Sequence, residues 1–132
     1  MIFIDTSAIY ALADRADPNH DDSTEYLAAL LESRARLLTH NYVLVEAMAL
    51  LQRRLGLDAA LALATDVSAF EVEWITRQTH IAAVAALDEV GSRGVSLVDH
   101  VSFLVMERRG VDKAFVFDRD FAGRGFKTRP RE

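Results

Sequence analysis

Two short apolar runs, Met1–Ile4 and Ala114–Phe117, each stop on an aspartate, Asp5 and Asp118. A third, Val95-Ser96-Leu97-Val98, stops on Asp99. Met1–Ile4 and Ala114–Phe117 have the length and the β-branched or aromatic content of strands buried in a parallel sheet. A strand that ends on a carboxylate sets a charge at the carboxyl edge of its sheet, which is where open α/β folds bind ligands. Three such charges, with no evident counter-charge, point to a cation site. The chain is thereby confined to folds that gather strand ends along one edge.

At 132 residues the chain is expected to form one domain over 1–132, large enough to bury a substantial core. Half of it is apolar and only two residues are proline, which argues against disorder. The absence of cysteine excludes a disulfide scaffold and a thiolate zinc site, and fits a reducing cytoplasm. Met1–Ile4 is too short for a signal-peptide core and has no basic flank before it. No run approaches the roughly 20 apolar residues that span a bilayer. A soluble, cytoplasmic protein with no membrane contact is expected.

The net charge of -5 argues against a surface that binds nucleic acid everywhere. Its distribution is uneven, however. From Glu107 to Glu132 eight basic residues (Arg108, Arg109, Lys113, Arg119, Arg124, Lys127, Arg129, Arg131) face five acids, leaving the first 106 residues with 7 basic and 15 acidic. A basic segment beside an acidic site is able to hold a phosphate backbone near a metal. A solvated terminal face accounts for the same charges equally well.

Helical spacing predicts helices over Thr6–Ala13, Ser23–Ser33, Tyr42–Leu55, Asp58–Ser68, Thr79–Val90 and Val101–Arg109. Thr6 or Ser7 is expected to cap the first and Asn41 the third, with Gly56, Gly91 and Gly110 as stops. Asp14–Asp22 reads as a loop. Strands are expected at Arg36–Thr39, at Phe70–Ile75 as a partly exposed edge, at Ala114–Phe117 and around Phe126–Thr128. Strands alternating with helices give an α/β fold with a mainly parallel sheet flanked by helices, and an acidic site at its carboxyl edge.

A fourth acid, Glu46, falls on or beside the apolar face formed by Val43, Ala47, Leu50 and Leu51. A glutamate there is costly unless it is paired or bound to metal; Arg53 or Arg54 is the alternative partner. Asp5, Asp99 and Asp118 are each readable as helix caps. Four acids at three run ends and on one helix face nevertheless suggest convergence. Oxygen-only ligands select a hard ion, Mg²⁺ or Mn²⁺. Thr6 and Ser7 beside Asp5, and Ser102 one turn after Asp99, either serve as caps and helix-surface groups or orient a ligand or water. His100 points away from Asp99 along the helix and is left outside the ligand set. Asp120 is a possible fifth acid.

In order along the chain, Ile4-Asp5-Thr6-Ser7-Ala8, Asn41-Tyr42-Val43-Leu44-Val45-Glu46 with Leu50-Leu51, Val98-Asp99-His100-Val101-Ser102-Phe103 and Phe117-Asp118-Arg119-Asp120-Phe121 resemble the four motifs of PIN-domain ribonucleases, in particular the VapC toxins of bacterial toxin–antitoxin pairs. The resemblance implies a parallel sheet wrapped by helices. It implies Asp5, Glu46, Asp99 and Asp118 as the acidic cluster, with Asp5 and Asp99 as direct metal ligands. Asp120 departs from the pattern, and is either a supporting member of the site or a spectator. A homodimer and a small VapB-like antitoxin are implied as well.

The expected chemistry is Mg²⁺-dependent hydrolysis of RNA, with Mn²⁺ able to substitute, leaving a 5′-phosphate and a 3′-hydroxyl. Glu46 or Asp118 would orient the water as base, and Arg119, Arg124 or Lys127 would contact flanking phosphates. Structured sites in tRNA or ribosomal RNA are the expected targets. The alternatives are a solitary RNA-processing nuclease, or a catalytically silent PIN-like module that binds protein or RNA. A response-regulator receiver is disfavoured: Thr6 stands where it would need a second acid, and Arg119-Asp120 follows the last strand in place of a lysine.

Overall fold

Ile2, Phe3 and Ile4 form strand β1 (Ile2–Ile4), wholly buried, in a computed structural model that describes residues 1–91 and 94–130. Four further strands follow: β2 (Leu37–His40), β3 (Glu71–Glu73), β4 (Lys113–Phe115) and β5 (Lys127–Arg129). All pair in parallel, in the order β3-β2-β1-β4-β5. The helices are α1 (Thr6–Ala13), α2 (His20–Glu32), α3 (Asn41–Leu55), α4 (Leu57–Asp66), α5 (Arg77–Val90), α6 (Leu97–Arg109) and the single turn α7 (Asp120–Gly123).

Burial on both faces explains the continuous apolar character of the central strands. Phe3, Ile4, Leu38 and Phe115 are fully enclosed, under Val43 and Leu51 of α3, Val101, Val105 and Met106 of α6, and Phe121 of α7. The outermost strand β3 is only half-buried. Its Glu71 and Glu73 bind Arg36, Arg108 and Arg109, and such charges discourage another strand from adding to that edge.

The chain runs outward from β1 through β2 to β3, then returns to place β4 and β5 on the other flank of β1. The order therefore reverses between β1 and β4. In open parallel sheets that reversal leaves a crevice at the carboxyl edge, where ligands bind.

Several boundaries differ from expectation. Leu97 and Val98 belong to the first turn of α6, so the run before Asp99 is helical, capped by Ser96. Asp5 itself caps α1, in place of Thr6 or Ser7. His40 caps α3, freeing Asn41 to accept a 2.7 Å hydrogen bond from the Ile75 amide. Helix α2 starts at His20, inside the segment expected as a loop. Arg131 lies outside the described residues.

Candidate active site

Asp5 leaves β1 at its carboxyl end and is 4% exposed. Its Oδ2 accepts from the Ser7 amide at 3.4 Å and from Ser7 Oγ at 3.2 Å. Its Oδ1 is buried without a partner. Burial, with repulsion from Asp99 and more weakly Glu46, raises its pKa from 3.8 to about 7. Ser7 does more than hold Asp5: its Oγ also accepts from the Phe117 amide at 3.0 Å. The turn after β1 is thus tied to the segment that delivers Asp118.

Asp99 occupies the third position of α6 and forms a capping box with Ser96. The Ser96 amide donates to Asp99 Oδ2 at 3.1 Å, and the Asp99 amide donates to Ser96 Oγ at 3.1 Å. Burial raises the Asp99 pKa to about 6, against those bonds, and Asp118 and Asp120 push it the same way. The N-cap of α6 is Ser96, and Asp99 is not itself the cap. Asp99 makes a cap bond with one oxygen while its charge confronts other carboxylates.

Asp118 follows β4, and its Oδ1 accepts from the Asp120 amide at 2.8 Å. Carboxylate oxygens of Asp99, Asp118 and Asp120 all lie within 4.8 Å of one another. Burial and the neighbouring Asp118 raise the Asp120 pKa. Asp120, read from the sequence as a possible fifth acid or a spectator, stands inside the cluster. Asp99 joins two overlapping groups: it repels Asp5 on one side and meets Asp118 and Asp120 on the other.

Glu46 departs from the reading of a buried acid. Val43, Ala47 and Leu51 fill the buried face of α3, while Glu46 is exposed and faces Asp5 only as a nearby charge. Among the described residues it makes no ion pair, and Arg54 lies instead over the Tyr10 ring, 5.3 Å from its centroid. Thr6 is buried with its hydroxyl unpartnered. Ser102 is fully buried, not a surface group, and its Oγ donates to the Val98 carbonyl at 3.0 Å. His100 is buried edge-on to Phe103.

The basic residues divide. Arg119 is exposed and lines a cleft of about 490 Å³ together with Asp118. Arg124 is bound to Glu107 at 3.3 Å and lies over Phe103. Lys127 opens β5 and pairs with Asp112 at 3.3 Å. That places Lys127 at the amino edge of the sheet, opposite the acids, and corrects its assignment as a phosphate contact. Arg108 and Arg109 are held by Glu71 and Glu73, so among the described residues the basic segment forms no continuous track to the site.

A common pattern runs through the cluster. Asp5, Asp99 and Asp118 each have one oxygen fixed by a short-range donor, from Ser7, Ser96 or Asp120 respectively. The other oxygen of each makes no hydrogen bond among the described residues. Fixed carboxylates, each with one oxygen to offer and crowded together, suit a hard divalent cation. Sequence reasoning missed Ser96 and His40. The capping spacing Ser96-x-x-Asp99 signals the first; only tertiary packing reveals the second.

Comparison with known proteins agrees with this geometry. A family model described as PIN domain matches residues 2–127. The 23S rRNA-specific endonuclease VapC20 of Mycobacterium tuberculosis, from strains CDC 1551 and H37Rv alike, is 36% identical over 133 residues, spanning 98% of this chain and 99% of the relative. The crystal structure of that species' VapC20, described as a sarcin–ricin loop cleaving toxin, superposes with a TM-score of 0.85 at 35% identity over 96% of both chains. Matched from its first strand to its last, with the acids gathered at the sheet's point of reversal, the chain belongs to the PIN-domain family.

Proposed function

We propose that residues 1–132 act as one divalent-metal-dependent endoribonuclease, the toxin of a VapBC-type pair, cutting ribosomal RNA in the manner that the name of VapC20 describes. The observation that supports it best is the convergence on Asp99, with Asp5 on one side and Asp118 and Asp120 on the other. A silent binding module has no use for so repulsive a cluster. Near full-length similarity to a 23S rRNA-specific endonuclease supports ribosomal RNA over tRNA.

Asp5 and Asp99 would hold Mg²⁺, or Mn²⁺ in its place, with Asp118 and Asp120 able to complete the oxygen set. When bound, the ion supplies positive charge for the transition state and a more acidic water. Asp118 and Glu46 are the acids best placed to take the proton of the attacking water: Asp118 is oriented by the Asp120 amide, and Glu46 stands exposed at the rim. Attack at phosphorus breaks the bond to the 3′ oxygen, leaving a 5′-phosphate and a 3′-hydroxyl. Arg119, beside Asp118 on the cleft wall, would contact a flanking phosphate. Ser7 and Ser96 hold the ligand carboxylates, and Thr6 lies next to Asp5.

A VapB-like antitoxin, a homodimer and a cytoplasmic location belong to the same reading. Exposed Val45, Trp74, Ile81 and Val84 suit protein contacts. No helix among the described residues is long and apolar enough to cross a membrane.

The test is cleavage of bacterial ribosomes and total RNA by the purified protein with Mg²⁺, with Mn²⁺ and with EDTA, beside Asp5→Ala and Asp99→Ala. Discrete cuts in 23S RNA that require the ion and vanish in both variants are expected. Folded, antitoxin-free protein that cuts nothing under any divalent ion would favour the silent module.

A further inference from the structure

Between the strand end of β2 and the first turn of α6 lies a histidine that the carboxylate chemistry does not use. His40 is fully buried, and its ring stacks on Phe3 with centroids 5.6 Å apart. Its Nδ1 accepts from the Val43 amide at 3.3 Å, capping α3. With Nδ1 an acceptor, a neutral ring must carry its proton on Nε2. Nε2 lies 2.8 Å from Ser102 Oγ, so it donates there, and the single Ser102 hydroxyl proton goes on to the Val98 carbonyl at 3.0 Å. Donors and acceptors match at every step of this chain, in one direction only.

The carbonyl that ends the chain belongs to the peptide that joins Val98 to Asp99. We propose that His40, acting through Ser102, is a positioning residue that sets the first turn of α6 so that Asp99 meets Asp5 and Asp118 at the spacing a divalent ion needs. This deepens the proposed metal-dependent nuclease and rests on it.

Capping α3 does not by itself explain a histidine. Serine, aspartate or asparagine caps a helix as well or better, and burying an imidazole is costly unless its nitrogens are bonded. What the ring adds is reach: a second hydrogen bond from the opposite side of a rigid plane, to an element 62 positions away. It adds this without charge. An acid at position 40 would bring another repulsive group toward the cluster. Burial holds the His40 pKa at about 3, so the ring stays neutral wherever the carboxylates ionise.

Two substitutions separate the two bonds. Asn in His40→Asn keeps a cap acceptor but is too short to reach Ser102; Gln in His40→Gln places a donor near the Nε2 position but gives up the cap. The full chain and these variants, with Ser102→Ala, are titrated with Mn²⁺, free ion being followed by electron paramagnetic resonance. Thermal midpoints and RNA cleavage are measured on the same samples. Loss of an outer hydrogen bond that orients a ligand weakens metal affinity by roughly 10–100-fold. We expect a loss of that size in His40→Asn and Ser102→Ala, with kcat falling and KM for RNA unchanged. His40→Gln should bind Mn²⁺ close to the native protein even where its melting point is lower. Native Mn²⁺ affinity in His40→Asn and Ser102→Ala, whatever their melting points, would overturn the positioning role alone. A native chain that binds no Mn²⁺ would overturn both this role and the metal-dependent reading.

Discussion

At the scale of single residues, two carboxylates are held in a state that the metal-free protein tolerates poorly. The Asp5 carboxyl is raised to about 7 and that of Asp99 to about 6, burial being the larger cause in both. Between pH 4 and pH 7 the folded chain therefore retains protons that the unfolded chain has released. The folded state then binds more protons, and stability falls as pH rises. Without metal, the melting temperature is expected to be higher at pH 5 than at pH 8, by several degrees, in calorimetry with EDTA present. Asp5→Asn should reduce that slope, leaving the share of Asp99, while abolishing cleavage. A slope undiminished by the substitution would assign it to other groups. The sequence singled out Asp5, Asp99 and Asp118 because each follows an apolar run, but not their partners. Ser7 was legible only as a neighbour of Asp5, whereas its bond to the Phe117 amide joins residues 110 positions apart. Glu46 misled for a physical reason. Its spacing put it beside the apolar face, but α3 is rotated so that Val43, Ala47 and Leu51 take the buried stripe.

At the scale of elements, α5 and α6 provide an internal control. Thr76 caps α5 by accepting from the Thr79 amide, and Ser96 caps α6 within the capping box that holds Asp99. Replacing either with alanine removes a comparable bond, at about 1 kcal/mol. Thr76→Ala and Ser96→Ala should therefore lower the melting temperature alike, while only Ser96→Ala reduces cleavage. Equal cleavage by the two variants would show that the cap does not help to fix Asp99. Strand and helix order was readable from the periodicity throughout, since buried parallel strands and amphipathic helices differ in repeat. The failures fell at ends. Leu97 and Val98 read as the close of an apolar run, yet Ser96 begins a helix there; a run of four residues does not distinguish a buried strand from a first helical turn.

At the scale of the whole molecule, the sheet and the acid cluster oppose one another. The fold gathers Asp5, Asp99, Asp118 and Asp120 at the reversal between β1 and β4, and a bound cation would relieve their repulsion. Mg²⁺ should therefore raise the melting temperature in a concentration-dependent way, more at pH 8 than at pH 5.5, where protons compete for the same oxygens. Calorimetry in Mg²⁺ at the two pH values tests this, and equal shifts would place the ion elsewhere. The fold class was legible because β1 and the run Ala114–Phe117, which holds most of β4, are unbroken apolar sequence. The basic segment was not, because Arg108, Arg109, Arg124 and Lys127 each found an acid in three dimensions.

The bond from Ser7 to the Phe117 amide also bears on timing. One half of the site is made 110 positions ahead of the other. A growing chain thus holds Asp5 and its serine long before it has Asp118 to set against them. The acidic edge is therefore complete only once β4 has docked beside β1, so whatever chemistry it supports is deferred until two distant stretches of chain have met.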